Sequence, residues 1–401
     1  MTSYHKKLLF LSYHSLIDPA SGAAVSVCDL LDALGKYRNW EIRSFTGLLT
    51  DFQHPVDIKQ LLTDQRFPFD VKQLQNSDAT FELVGFRAPH YTGMCFIPPD
   101  RSFDPPGVYA EAFVKLYDDL IDRWKPDAIL SYGGQSFLPR MFHTAKQHGI
   151  TTVFTLFNFA YFSTDCLQGI DTIHVPSQYT ADVYRKRLGI ESVSIPLVMN
   201  EEKVLATAPP EAHKYVTFVN PQPHKGLYVF AKIAEILTVK RPDIPLLVVE
   251  SRADSRALLR AGLTLEQLGN VSIMRTTPMP RDIYGVSKVV LMPSLWDETF
   301  GRVAAEAMMN GIPVLASDRG SLPEICGTAG LLFHVPEKYT PETQTLISEE
   351  EAMPWIDAII RLYDDLAYYR SINQVALAHA GRWKTKTILD RYEQILLPCK
   401  R

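Results

Sequence analysis

The chain has 401 residues, of which 46% are hydrophobic, 11% aromatic and 21% charged, a composition that excludes a disordered protein and fills more than one core. Forty-one Lys and Arg against 45 Asp and Glu leave a net charge of −4, so no basic field exists to hold nucleic acid as a main partner. No apolar run approaches the ~18 to 20 residues of a membrane-spanning helix.

The polar start from Met1 to Lys7 reads as a soluble chain without a signal peptide. Leu8 to Ser12 is a buried-strand run, followed by a loop to Gly22 and a helix from Ala23 to Leu34 with Val25, Leu30, Leu31 and Leu34 at helical spacing. Residues 48 to 110 are the least regular part, and their Pro-rich stretches, such as Phe96 to Gly107, read as surface loops. Short apolar runs return at Ala128–Ser131, Thr152–Leu156 and Thr172–Val175, each followed by a helical stretch or polar loop. This alternation predicts an α/β chain of parallel sheets covered on both faces.

The rhythm lapses in the polar, Pro-paired segment Asn200 to Lys214 and restarts at Tyr215 to Val219. The reading is two doubly wound, Rossmann-like domains facing across a cleft: 1–200, and 201–380, with a terminal helix within about 380–401 packing back on the first domain. The second half repeats the pattern at Leu246–Glu250, Val271–Met274, Val289–Met292, Pro313–Ala316 and Gly330–Phe333. Five scattered cysteines, Cys28, Cys95, Cys166, Cys326 and Cys399, lack CxxC or Cys/His spacing. Neither a disulfide framework nor a zinc site is expected, and a reducing cytoplasm fits.

The most informative stretch is Val289 to Val335. A strand ends at Pro293-Ser294, a loop carries Trp296, Asp297 and Glu298, and a helix opens near Gly301 with Glu306 one to two turns inside. Unpaired N–H groups and a positive dipole at a helix start make Thr299, Phe300, Gly301 and Arg302 a seat for a diphosphate. Arg302 could add a guanidinium to it or serve as an ordinary surface charge. Glu298 and Glu306, eight residues apart, could each hold hydroxyls of a ligand whose phosphates lie between them.

This constellation resembles the Glu-x7-Glu motif of retaining glycosyltransferases with the GT-B fold, in particular glycosyltransferase family 4, the group 1 glycosyl transferases. The resemblance extends through Pro293-Ser294, Phe300-Gly301, Glu306-Ala307, Gly311-Ile312-Pro313-Val314 and Gly320-Ser321-Leu322-Pro323-Glu324. It implies that Glu306 binds ribose hydroxyls, that Glu298 meets hydroxyls of the transferred sugar, and that Phe300 and Gly301 offer amides to sugar and phosphate. In Thr217 to Gly226, Lys225-Gly226 matches the family's phosphate-binding Lys. The family's Arg is absent, with Asn220, Pro221 and Gln222 in its place. Arg252 and Arg275, both after strand runs, are the candidates to replace it, Arg252 the favoured one.

In the first domain, Gly22 matches one glycine of the family's Gly-rich turn, and Ala23 stands for the second. Tyr132-Gly133-Gly134-Gln135 forms another glycine-bearing loop, assigned to the acceptor side. The family often places a histidine where this chain has Phe157, so either the sugar differs at its sixth carbon or Asn158 and another group take over the histidine's work. His143, His148 and His174 read as structural. His14 and His90 are better placed for the cleft.

The resemblance implies a nucleoside diphosphate sugar as donor, front-side transfer to a hydroxyl of a glycan, lipid or small molecule, and closure of the two domains. It also implies no obligatory divalent metal, and the chain holds no DxD string. No basic amphipathic stretch marks a membrane contact, although a peripheral one is left open. A sugar-nucleotide epimerase of the same fold and a non-catalytic nucleotide-sugar-binding protein are the rival readings. Acceptor, nucleotide and oligomeric state are not specified by the sequence.

Overall fold

The computed structural model describes residues 5–52, 56–75, 79–263 and 269–398. Most of the polar start and Cys399 lie outside the described residues. The chain divides into two compact units, one running to Val198 and resuming at Thr385, the other spanning Met199–Lys384.

The first unit carries β1 (Lys7–His14), β2 (Glu41–Leu49), β3 (Phe69–Gln75), β4 (Thr80–Arg87), β5 (Thr92–Ile97), β6 (Ala128–Ser131), β7 (Thr151–Thr155), β8 (Thr172–Val175) and β9 (Val193–Ser194). They form a nine-stranded sheet in the order β3-β4-β5-β2-β1-β6-β7-β8-β9. Every residue from Leu8 to Tyr13 is buried, so both faces of the central strand are covered, as a parallel α/β sheet requires. The helices Gly107–Trp124 and Leu138–Gln147 supply Phe113, Tyr117 and Phe142 to the core, with Phe113 stacked 4.4 Å from Phe45.

Within residues 48 to 110 the Pro-rich stretch is a loop from 98 to 106, as expected, but the rest of the segment is more regular than its sequence suggests. It contains the helix Ile58–Asp64 and the strands β3, β4 and β5. β3 pairs antiparallel with β4, and β4 antiparallel with β5, before β5 joins β2 in parallel. The parallel rule therefore holds only for part of this sheet.

The second unit carries β10 (Tyr215–Val219), β11 (Leu246–Val249), β12 (Val271–Met274), β13 (Ser287–Met292), β14 (Val314–Ser317) and β15 (Leu331–Phe333). All neighbours are parallel, in the order β12-β11-β10-β13-β14-β15. Counted from β10 this is the 3-2-1-4-5-6 order of a doubly wound sheet, whose ligand site lies where the order reverses, between β10 and β13. The core gathers Phe218, Phe230, Val289, Leu291, Trp355 and Ile356, all fully or almost fully buried.

The final helix, Thr385–Leu396, belongs to the first unit and buries Ile388, Leu389, Tyr392, Ile395 and Leu396. Its Glu393 Oε1 accepts from Lys6 Nζ at 2.8 Å and from Trp40 Nε1 at 2.9 Å. Its Tyr392 hydroxyl lies 3.2 Å from Nε2 of the fully buried His174. That ring also sits 2.9 Å from the Ile195 carbonyl at Nε2 and 3.1 Å from Thr155 Oγ1 at Nδ1. A carbonyl only accepts, so Nε2 carries the proton and Nδ1 accepts from Thr155. His174 is structural, as the sequence suggested. No helix among the described residues is long and apolar enough to cross a membrane.

Candidate functional site

In the second unit the loops after β10 and β13 are fastened to each other by backbone. The carbonyl of His224 accepts from Leu295 N at 2.9 Å and Trp296 N at 3.2 Å. Gly226 makes the approach possible: it sits at φ +87°, and a Cβ there would stand 1.9 Å from the Pro293 carbonyl oxygen. Any other side chain would force the loops apart.

That fastening brings Lys225 to Glu298. Lys225 ends a short 3-10 turn, Pro223–Lys225, and its Nζ donates to Glu298 Oε1 at 2.6 Å. Ser294 Oγ lies 3.1 Å from the same oxygen. Glu298 is only 8% exposed, so its charge is held by these donors rather than by bulk water. Gly320 fixes it from beneath. At φ +61°, a Cβ on Gly320 would come within 2.3 Å of the Glu298 nitrogen, and the next residue, Ser321, donates its N–H to the Glu298 carbonyl at 2.8 Å. The Gly320-Ser321 string thus has a physical role: it is the floor on which the first glutamate rests.

The helix Arg302–Met309 opens from Gly301, which adopts the left-handed conformation, and buries Ala304, Ala305, Glu306, Ala307 and Met308. Phe300 is buried, its ring 6.4 Å from that of Trp383, and Thr299 is half-buried at the helix entrance. Glu306 is 4% exposed. Its Oε1 accepts from Arg302 Nε at 2.6 Å and its Oε2 from the Tyr284 hydroxyl at 2.8 Å. Burial, then the Glu306 carboxylate, push the Tyr284 hydroxyl well above the usual phenol range, which keeps it a donor. The Arg302 guanidinium turns back along its own helix to Glu306, one turn further on.

Asn220, in the slot of the expected arginine, adopts the left-handed conformation at φ +63°. Its Nδ2 donates to Gln222 Oε1 at 2.9 Å, and its Oδ1 accepts from Ala253 N at 3.3 Å. Asn220 therefore ties down the turn that carries Arg252. The His224 imidazole is pushed down to about 4 by burial first and then by the charges of Lys225 and Arg252, against Glu298 and Glu342. Arg252 is thus felt at this loop. It follows β11, the immediate neighbour of β10, whereas Arg275 follows the edge strand β12 and is exposed. At ~4.8 Å per strand, Arg275 starts one strand further from the switch point.

In the first unit, Gly22 is the first residue of the helix Gly22–Arg38, capped by Ser21, and a Cβ on it would meet no atom within 4 Å. The fold does not demand glycine there. Asn158 Oδ1 accepts from Ala160 N at 2.9 Å and its carbonyl accepts from Tyr184 Oη, so its carboxamide oxygen serves its own loop. Its Nδ2 group has no such role in the loop. The Phe157 ring stands edge-on to Tyr132 at 5.5 Å, and Tyr132 lies 5.7 Å from His14. Burial lowers the His14 imidazole below its usual range, with Asp51 opposing. Tyr132 Oη and both amide atoms of Gln135 are buried without a hydrogen-bond partner among the described residues. These residues follow β1, β6 and β7, on both sides of the reversal in strand order between β1 and β6.

His224, Tyr284 and the bracing roles of Asn220 and Gly320 were not identified from sequence. Their partners lie 22 to 72 residues away, or are backbone atoms, and no local pattern announces them.

Residues 213–365 match the family model described as "Glycosyl transferases group 1". A D-inositol 3-phosphate glycosyltransferase from Segniliparus rotundus is 28% identical over 237 residues, 55% of this chain and 49% of that protein. The same-named protein from Corynebacterium aurimucosum is 31% identical over 194 residues, 45% of this chain and 42% of the relative. The chain spans about half the length of the curated relatives it matches. Among solved structures, sucrose-phosphate synthase from Thermosynechococcus elongatus superimposes with a TM-score of 0.65 at 19% identity, covering 98% of each chain. Anabaena Alr3699/HepE in complex with UDP and glucose gives a TM-score of 0.65 at 17% identity, covering 98% of this chain and 99% of that one. Residues 213–365 are thus similar to a group 1 glycosyl transferase domain, and the chain has the GT-B fold of two Rossmann-like domains.

Proposed function

We propose that this chain is a retaining glycosyltransferase, which moves a sugar from a nucleoside diphosphate donor to a hydroxyl acceptor. The observation that carries the reading is the Lys225–Glu298 pair at the β10/β13 switch point, beside the opening of the Arg302–Met309 helix. Breaking the anomeric C–O bond leaves its electron pair on the departing diphosphate. Lys225, the helix-start amides and Arg252 supply the positive field that stabilises this charge. Glu298, once its lysine turns to phosphate, accepts hydrogen bonds from sugar hydroxyls, and Glu306 accepts them from ribose. No divalent metal is required for this electrostatic role. The relatives named D-inositol 3-phosphate glycosyltransferase and the UDP-bound Anabaena structure support the donor class.

The second unit is the donor domain in this reading and the first unit the acceptor domain. The partnerless Tyr132 hydroxyl and Gln135 amide offer matched donors and acceptors to a hydroxyl-rich acceptor, since buried polar groups otherwise carry a desolvation penalty. Phe157 replaces a polar contact to the sugar by an aromatic one, which suits a donor with a less polar outer face.

Calorimetric titration with UDP, GDP, ADP and dTDP tests the donor assignment. One of the four binds, and Glu306→Gln weakens it by roughly tenfold or more, the cost of removing hydrogen bonds to a charged group. Unchanged affinity in the variant contradicts the ribose assignment.

A further inference from the structure

β3 stands at the end of the nine-stranded sheet, paired through all seven of its residues with β4 and bordered by no other strand among the described residues. Six of its seven residues are exposed, and only Leu74 is half-buried. Phe69 is 38% and Val71 41% exposed, on the face opposite to Asp70 and Lys72. Edge strands with open N–H and C=O rows invite another strand, and soluble proteins usually blunt them by shortening, bulging or covering. β3 pairs in unbroken register and carries one exposed charge of each sign. Neither Asp70 nor Lys72 has a side-chain hydrogen bond or ion pair among the described residues.

We propose that this edge is a two-fold interface with a second copy of this chain, in which β3 pairs antiparallel with the β3 of the other copy about Val71. The charges select this arrangement. Paired residues in an antiparallel ladder point to the same face, so a two-fold axis normal to the sheet must pass through a residue, not between two. Centred on Asp70 the ladder opposes two aspartates, and centred on Lys72 it opposes two lysines. Centred on Val71, Asp70 of each copy faces Lys72 of the other, twice by symmetry, and Val71 meets its own mate. The lysine that would repel a foreign strand thus finds its counter-charge only in this register. The new ladder continues the antiparallel sense of β3 and β4.

Sedimentation velocity of the full chain over a wide concentration range tests the proposal. The expected result is a reversible monomer–dimer equilibrium that Lys72→Asp shifts toward monomer by roughly tenfold, as attractive cross-strand pairs become repulsive. The double variant Asp70→Lys/Lys72→Asp restores the inverted pairs and returns the dimer constant to within about threefold of the original. Both sites are solvent-facing, so far-UV circular dichroism stays unchanged in each variant. A chain that sediments as a monomer throughout, a dimer indifferent to Lys72→Asp, or a double variant that stays as weak as the single one overturns the proposal.

Discussion

Lys225 Nζ lies 2.6 Å from Glu298 Oε1 and joins loops 73 residues apart in the chain. The pair is largely shielded, with the lysine side chain 28% exposed and the glutamate side chain 10%. In the proposed reading it pre-positions both groups of the donor site: the cation that is to meet phosphate rests on the carboxylate that is to meet sugar.

Replacing Lys225 by Met removes the charge but keeps most of the side-chain volume. Turnover, followed as release of free nucleotide, falls by roughly a hundredfold to a thousandfold, the range for losing one group aimed at developing charge. Lys225→Arg retains the charge with a different geometry and falls between this variant and the parent.

Gly226→Ala and Gly22→Ala separate fold from function. The first places a methyl group 1.9 Å from the Pro293 carbonyl at a left-handed position, and denaturant titration registers a loss of about 2 kcal/mol or more. The second meets nothing within 4 Å at the start of a helix, so stability changes by no more than about 0.5 kcal/mol or rises. Turnover falls in Gly22→Ala all the same, because the open space at that helix start serves the ligand in the proposed reading. Full activity in the Gly22→Ala variant removes Gly22 from the site.

Arg252 and Arg275 compete for the missing arginine. Asn220 braces the turn carrying Arg252, while Arg275 is exposed beyond the edge strand. Arg252→Ala weakens nucleoside diphosphate binding by roughly tenfold, in line with one charge-assisted hydrogen bond, and Arg275→Ala by less than about twofold. Calorimetry on the two variants decides between them.

Acid should loosen the first unit through His174. Burial pushes its imidazole down to about 4, below the usual 6.5. As pH falls, the unfolded chain therefore takes up this proton before the folded one, so the stabilisation is complete above about 6.5 and drains away toward 4. From pH 7 to pH 5 the loss from this residue is about 2 kcal/mol, measurable by urea unfolding. His174→Gln flattens that part of the curve. His224, also pushed down to about 4, adds a loss of the same sign in the second unit.

The strands of the second unit were legible because each is a short, mostly apolar run, and β10, β11, β13 and β14 are largely buried on both faces. Tyr215–Val219 and Val271–Met274 coincide with β10 and β12, and Ala128–Ser131 and Thr172–Val175 with β6 and β8 in the first unit. The hairpin of β3 and β4 was not, because FDVKQLQ buries nothing fully and lacks any core-facing apolar stripe. It is a strand by virtue of its ladder to β4, a partner that local sequence does not display. At the site, Glu298, Gly301 and Glu306 were visible as one local string. The engagement of Glu306 by Tyr284 and the bracing of Arg252 by Asn220 depend on tertiary contacts that no local string displays.

The central claim is tested most directly by incubating the chain and its Lys225→Met variant with UDP-, GDP-, ADP- and dTDP-linked sugars and following the products by chromatography and NMR. The account predicts release of free nucleotide from a donor in this panel, with the sugar's anomeric configuration kept in the first-formed product and the rate lowered roughly a hundredfold in the variant. Interconversion of one sugar nucleotide into another, or binding without release from any of the four, contradicts it.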